Sequence, residues 1–169
     1  YVLSSNPRLT HVNITNNTAY DDAGGMLLNG SNPTLTHVTI AGNTAVSGGG
    51  MYVVSSNPTL THVTVAANTA EYSGGGINVS SSNPMLTHVT VAVNTAEYGG
   101  GMLFWSSNPM LTHVPISGNT ANIRGGGMYV YESNPTLTNS IAWNNSPESI
   151  YLYSGTSVIT YSDVEGGWE

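Results

Sequence analysis

The sequence contains no cysteine and no lysine, and phenylalanine occurs once in its 169 residues. Without cysteine there is no disulfide framework, no thiolate nucleophile and no zinc–thiolate centre. Arg8 and Arg124 are the only strong cations, against 9 Asp and Glu, for a net charge of −7. Nucleic-acid binding needs a basic patch to neutralise phosphates, so this class is excluded. Charged residues make up 7% of the chain, against about 25% in an average soluble protein. No apolar run approaches the roughly 20 residues of a membrane-spanning helix. No signal-peptide pattern and no initiator Met open the sequence.

What is present is a repeat. Ser-Asn-Pro recurs at 5–7, 31–33, 56–58, 82–84, 107–109 and 133–135, at spacings of 26, 25, 26, 25 and 26. Each unit reads SNPxLTHVxIxxNTA, then two or three variable residues, then a glycine-rich GGGMYV segment. The variable residues, such as Val46-Ser47 and Glu71-Tyr72-Ser73, account for the alternating period and predict a loop at that point. Units begin near Ser5, Ser31, Ser56, Ser82, Ser107 and Ser133, and a degenerate last one begins near Ser154.

Short stretches alternate apolar and polar residues, β-branched residues abound, and Gly or Asn-Pro punctuates every stretch. No segment has helical periodicity. One unit holds three short strands and three bends. The expected fold is all-β: one domain, 1–169, forming a single-stranded right-handed parallel β-helix (a β-solenoid) of about 6.5 coils. A leucine-rich repeat has a similar period but needs several leucines per unit, where these units have one.

Alternation assigns the faces. Leu35, Val38, Ile40, Met51 and Val53 point inward, and Thr34, Thr36, Thr39, Tyr52 and Val54 outward. The three-residue step from Leu35 to Val38 breaks alternation and predicts a bend at Thr36-His37. Stacked coils then place Leu9/Leu35/Leu60/Leu86/Leu111/Leu137, Val12/Val38/Val63/Val89/Val114 and Met26/Met51/Ile77/Met102/Met128 in aliphatic columns that form the core.

The unit resembles the repeats of right-handed parallel β-helix proteins of the polymorphic outer-membrane-protein type, which carry a GGA[ILV] and an FxxN element. The first corresponds to Gly49-Gly50-Met51 and its copies. The second corresponds to Ile40-Ala41-Gly42-Asn43, Val65-Ala66-Ala67-Asn68, Val91-Ala92-Val93-Asn94 and Ile116-Ser117-Gly118-Asn119. Ile or Val stands for Phe, and Met for the small residue. The resemblance implies an extracellular or cell-surface bacterial protein.

Several polar columns accompany the core. Asn17, Asn43, Asn68, Asn94, Asn119 and Asn145 are expected to form a hydrogen-bonded ladder at a turn, where Asn tolerates the left-handed conformation. His11, His37, His62, His88 and His113 are expected to stack one coil step apart at the predicted bend; no Asp, Glu or Cys accompanies them to complete a metal site. Thr36, Thr61, Thr87, Thr112 and Thr138 form an outward column, a candidate ice-binding or O-glycan array. Arg8, Met85, Met110 and Pro115 interrupt the neighbouring Thr columns. Asn13, Asn16, Asn29, Asn78 and Asn144 open N-glycosylation sequons.

Tyr52, Leu103, Trp105, Tyr129 and Tyr131 fall on the outer face of one sheet and form a candidate carbohydrate or protein contact. The adjacent acids Asp21-Asp22 and the rim acids Glu71 and Glu97 do not recur with a nucleophile or base, so no catalytic residue, cofactor or metal is assigned. The chain starts and stops inside a coil, with Gly166-Gly167, Trp143 and Trp168 near its last turn as candidate cover. It is expected to be part of a longer repeat or a subunit that associates end to end into a filament. The functional expectation is a non-enzymatic extracellular structural or adhesive solenoid. The alternative is a carbohydrate- or ice-binding module, and a polysaccharide-degrading enzyme ranks last.

Overall fold

Left-handed backbone corners shape every coil. Each turn of the chain passes through residues at positive φ, a conformation open to Gly, Asn, Asp and His at lower strain than to other side chains. In the second coil these are His37 (φ 53°), Gly42 (66°) and Gly48 (63°), and Ser55 (49°) begins the next. Between corners the chain is extended, and each extended segment pairs in parallel with its equivalent one repeat later. The computed structural model describes residues 1–167 as a right-handed parallel β-solenoid of about seven turns, with no helix among them.

The solenoid has four faces. The first is a seven-stranded sheet that includes Met26–Asn29, Met51–Val54, Ile77–Ser80, Met102–Trp105, Met128–Tyr131 and Ile150–Leu152. The second, also of seven strands, carries Thr34–Thr36, Thr59–Thr61, Met85–Thr87, Met110–Thr112 and Thr136–Thr138. The third runs through Thr39–Ala41, Thr64–Ala66, Thr90–Ala92, Pro115–Ser117 and Ile141–Trp143. The fourth has four strands: Thr44–Ser47, Thr69–Ser73, Thr95–Tyr98 and Thr120–Arg124.

The fourth face corrects the expectation of three strands per coil. Its only inward apolar residue is a single small one per coil, Ala45, Ala70, Ala96 and Ala121, each 5% exposed or less. The residues that follow are variable and mostly polar, so no consistent alternation is visible in the sequence. The variable residues expected to form a loop lie within this face. Ser73 pairs with Ser47 after a register shift beyond Ala70. The extra residue is thus absorbed as a bulge in a continuing strand.

Inside, the expected columns are buried along the middle coils. Leu35, Ile40, Met51, Met102, Phe104 and Ile116 are among the side chains with no exposed area. Full burial of one such side chain stabilises the fold by about 1.5–3 kcal/mol. The space left among Met51, Leu60, Ile77, Leu86, Met102 and Phe104 is about 10 Å³, so the interior is close-packed.

Two buried polar ladders run beside this core. Asn43, Asn68, Asn94 and Asn119 are fully buried, and each links the coils on either side. Asn68 donates from both its backbone N–H (2.9 Å) and its Nδ2 (3.0 Å) to Asn94 Oδ1, and also gives Nδ2 to the Ile40 carbonyl (3.0 Å). The left-handed residue at this corner is the one before the ladder Asn: Asn16, Gly42, Ala67, Val93, Gly118 and Asn144. The Asn column therefore turns inward to bond, and its conformational tolerance is not used. The second ladder is serine: the Ser31 N–H donates to Ser56 Oγ at 2.9 Å, and Ser56 Oγ donates to the Val54 carbonyl at 2.8 Å.

The glycine run has a steric cause. A Cβ on Gly75 would lie 2.4 Å from both the Gly100 and Thr95 carbonyl oxygens. The backbone of adjacent coils passes too close there for any side chain. At the last turn the Gly167 N–H donates to the Val164 carbonyl at 3.0 Å, closing the turn expected at Gly166-Gly167. Trp143 is 50% exposed on the third face. Trp168 lies outside the described residues.

Candidate functional site

On the first face the second and fourth residues of each strand point outward, and register alignment stacks them in two columns. The second positions run Leu27, Tyr52, Asn78, Leu103, Tyr129 and Tyr151. The fourth run Asn29, Val54, Ser80, Trp105 and Tyr131, and Tyr153 continues them just past its strand. Apart from Tyr52, residues are small or aliphatic at one end, and from Trp105 onward they are mostly aromatic at the other.

The aromatic end is a stacked wall. Trp105 and Tyr131 have ring centroids 4.4 Å apart at 30°, and Tyr131 and Tyr153 follow at 5.2 Å and 27°. Beside them Tyr129 packs on Tyr151 at 5.4 Å and meets Tyr98 edge-on at 5.5 Å. The Arg124 guanidinium lies 5.1 Å from the Tyr151 ring centre and completes the far side. Coil stacking supplies the ring spacing, because each coil advances by about one strand separation, ~4.8 Å.

The wall borders a groove of about 460 Å³. All five residues expected on this surface, Tyr52, Leu103, Trp105, Tyr129 and Tyr131, line it. Leu103 is only 7% exposed and forms floor, while Trp105 is 50% exposed. Tyr98, Tyr153, Asn78 and Ser80 also line it, with Ser47 and Ser73 from the fourth face. Sequence reasoning missed these. Tyr98 and the two serines belong to the unanticipated fourth strand. Tyr153 lies in the degenerate last coil, where the glycine run that marks the register has gone; the Tyr-Leu-Tyr spacing of 151–153 was the available signal.

Acids lie around the groove and contribute to the upward shift of its phenols. Partial burial, then the nearby Asp22, raises the Tyr52 phenol above its usual range. Burial, then the surrounding tyrosines, raises Tyr129. Glu132 is the main cause of the rise at Tyr131. These phenols stay neutral and serve as hydrogen-bond donors and acceptors. Burial and the neighbouring Asp21 lift the Asp22 carboxyl, against a lowering hydrogen bond from Ser47.

The other candidate residues lie elsewhere. Thr36, Thr61, Thr87, Thr112 and Thr138 line up in register on the second face, each half-buried. Met85 and Met110 sit side by side in the adjacent column, 48% and 53% exposed. The five histidines stack with centroids 4.8–5.0 Å apart and planes within 5°. Each occupies the left-handed corner expected for it. Face-to-face rings hold their nitrogens in parallel planes, which do not converge on one ion. Among the described residues no group of three His, Asp or Glu is placed to share a metal.

Of the sequon residues, Asn13, Asn16 and Asn144 are exposed and Asn29 is half-buried. Asn78 is a correction: it is 5% exposed, and its Nδ2, the atom a glycan would occupy, donates to Ser73 Oγ at 2.7 Å. Strand pairing turns it into the groove floor instead of into solvent.

The family model described as "Right handed beta helix region" matches residues 1–109 and, in a second overlapping match, 62–168. Comparisons with curated proteins and with solved structures gave no match.

Proposed function

The chain belongs to the right-handed β-helix family, and from that premise we propose that it is a non-enzymatic solenoid of the cell surface or extracellular space with a structural and adhesive role. Its contact face is the aromatic wall of the first sheet. The observation that carries this reading is the concentration of Trp105, Tyr129, Tyr131 and Tyr153 on one side of one groove, while the second and third faces present mainly Thr, Ala and Ser. Exposed aromatics grouped on a rigid sheet are the usual anchors of a binding surface.

The non-enzymatic part is supported by where the carboxylates go. Glu148 accepts from the Gly125 N–H at 2.7 Å, Glu165 accepts from the Asn144 N–H, and Glu132 accepts from the Ser106 hydroxyl at 3.3 Å. These acids satisfy backbone and neighbouring groups. The threonine columns favour an ice-binding reading less, because Met85 and Met110 break one of the two columns on that face.

The test is adhesion. The purified chain should be retained on insoluble polysaccharide or on coated surfaces, without turnover, and the double variant Trp105→Ala/Tyr131→Ala should lose retention while keeping its circular dichroism spectrum. Retention unchanged in that variant, or polysaccharide cleavage abolished by Asp21→Asn or Asp22→Asn, refutes it.

A further inference from the structure

The aromatic stack ends abruptly at one coil. Trp105 has Tyr131 on one side, 4.4 Å away, and is aligned on the other side with Ser80. A serine is too short to cover an indole, so one face of Trp105 stays open. The next outward residues beyond Ser80 and Asn78 are Val54 and Tyr52. The coil of Asn78 and Ser80 is therefore a slot one coil deep, walled by Trp105 and Leu103 on one side and by Tyr52 on the other.

The slot has the dimensions of a single ring. Its walls are two coil steps apart, ~9.6 Å at ~4.8 Å per step. A ring placed over Ser80 would extend the Tyr153–Tyr131–Trp105 stack at a spacing the stack already has twice, 4.4 and 5.2 Å. The floor is polar. Asn78 is 5% exposed and spends its Nδ2 on Ser73, while its Oδ1 accepts no hydrogen bond among the described residues. Ser47 and Ser80 add hydroxyls to the same groove.

We infer that this slot binds one neutral pyranose ring of a glycan, its C–H face against Trp105 and its hydroxyls on Asn78 and Ser80. A pyranose presents an apolar face and a polar rim together, which is what an indole face above an amide and hydroxyl floor complements. A planar aromatic ligand would leave the Asn78 acceptor unpaired and buried, at a cost. Acids flank the slot, with Asp22 acting on Tyr52 and Glu132 on Tyr131, the one cation of the wall, Arg124, sits at its far end over Tyr151, and the net charge is −7, so a uronic acid is disfavoured in the slot. Tyr131 lies between Trp105 and Tyr153, and Tyr153 ends the stack with no second wall facing it among the described residues. The slot thus takes a terminal or branching residue, and the wall beyond it meets whatever the glycan is attached to.

This inference deepens the adhesive reading and rests on it, and the two fail differently. The probes are methyl glycosides of neutral hexoses, the matching methyl glucuronide and p-cresol, titrated by tryptophan fluorescence and by saturation-transfer NMR. A neutral glycoside should bind, the glucuronide at least about tenfold more weakly. Ser80→Tyr places a ring in the slot, as the coils of Trp105 and Tyr131 already do, and should abolish glycoside binding without loss of thermal stability. Trp105→Ala should abolish it as well, and Asn78→Ala should weaken it about tenfold. Surface retention with full glycoside binding in Ser80→Tyr overturns the slot and leaves the adhesive wall standing. Retention by the wild type with p-cresol as the only bound probe, or with the glucuronide preferred, also overturns it. Loss of all retention by the wild type removes both.

Discussion

Asn94 offers the sharpest test of what holds the coils together. It is fully buried and makes four side-chain hydrogen bonds: Oδ1 accepts from the Asn68 N–H (2.9 Å) and Asn68 Nδ2 (3.0 Å), and Nδ2 donates to the Val65 carbonyl (3.0 Å) and Asn119 Oδ1 (3.0 Å). Asn94→Ala removes all four at once. Asn119 Oδ1 keeps the Asn94 N–H at 3.0 Å as a partner. The Asn68 N–H and one hydrogen of its amide are left buried without one. At about 1–3 kcal/mol for each orphaned group, the expected loss is ~4 kcal/mol, within roughly 2–6. Asn17 is the control. It is exposed, and both its N–H and Nδ2 give to Asn43 Oδ1, so Asn17→Ala orphans no buried group and should cost below about 1 kcal/mol. Urea unfolding followed by far-UV circular dichroism measures both, and amide exchange at Asn68 reports the local opening that a nearest-neighbour solenoid permits. The double variant Asn68→Ala/Asn94→Ala should cost less than the sum of the singles, since the lost bonds between them are shared. If Asn94→Ala and Asn17→Ala differ by less than about 1 kcal/mol, the ladder is not a main stabilising element and the reasoning fails.

Three further outcomes follow from the same geometry. Gly75→Ala should destabilise by more than about 3 kcal/mol, or block folding, because its Cβ meets backbone oxygens at 2.4 Å, whereas Gly118→Ala, with only the Val93 Cγ2 at 3.7 Å, should cost only about the 1–2 kcal/mol of a left-handed residue; thermal melts of both decide it. His62→Val puts a β-branched residue at φ 52° and removes two stacking partners, so it should lower the melting temperature more than His62→Asn, which tolerates the corner. Burial and Asp21 raise the Asp22 pKa, so the folded chain holds this proton more tightly than the unfolded one; that contribution is complete below the ordinary carboxylate pKa and is lost as pH rises through the raised value. Asp22→Asn should therefore raise stability slightly near neutral pH, within the ~0.5 kcal/mol of a surface change, and lose its advantage in acid, as melting curves against pH will show.

The repeat made much of this legible in advance. A period of 25–26 residues with two-residue alternation admits few structures besides a stacked β-coil, and one buried residue per column recurs in each unit. The His37 corner was readable because a three-residue step between inward side chains requires a reversal of facing. The fourth face was not readable, since Ala45 and its equivalents bury so little area that they leave no hydrophobic pattern. The left-handed residue beside the Asn ladder was misplaced by one position for a related reason: Gly42, Ala67, Val93 and Asn144 share no side-chain chemistry, only a backbone angle.

The site divides along the same line. Five of its residues could be placed on one outward face by alternation alone, because period-two geometry assigns sides within a strand. Sequence by itself determined the coil, its core columns and the face on which the aromatics lie. Only the tertiary structure decided that Tyr98 and the fourth-face serines reach the same groove, that Asn78 turns down as its floor, and that the ring stack stops at Ser80. Those facts depend on which residues of different coils stand in register and how two faces meet at a corner. Register is set by packing across the whole column, where a bulge absorbs the one extra residue of the longer units and brings the coils back into step.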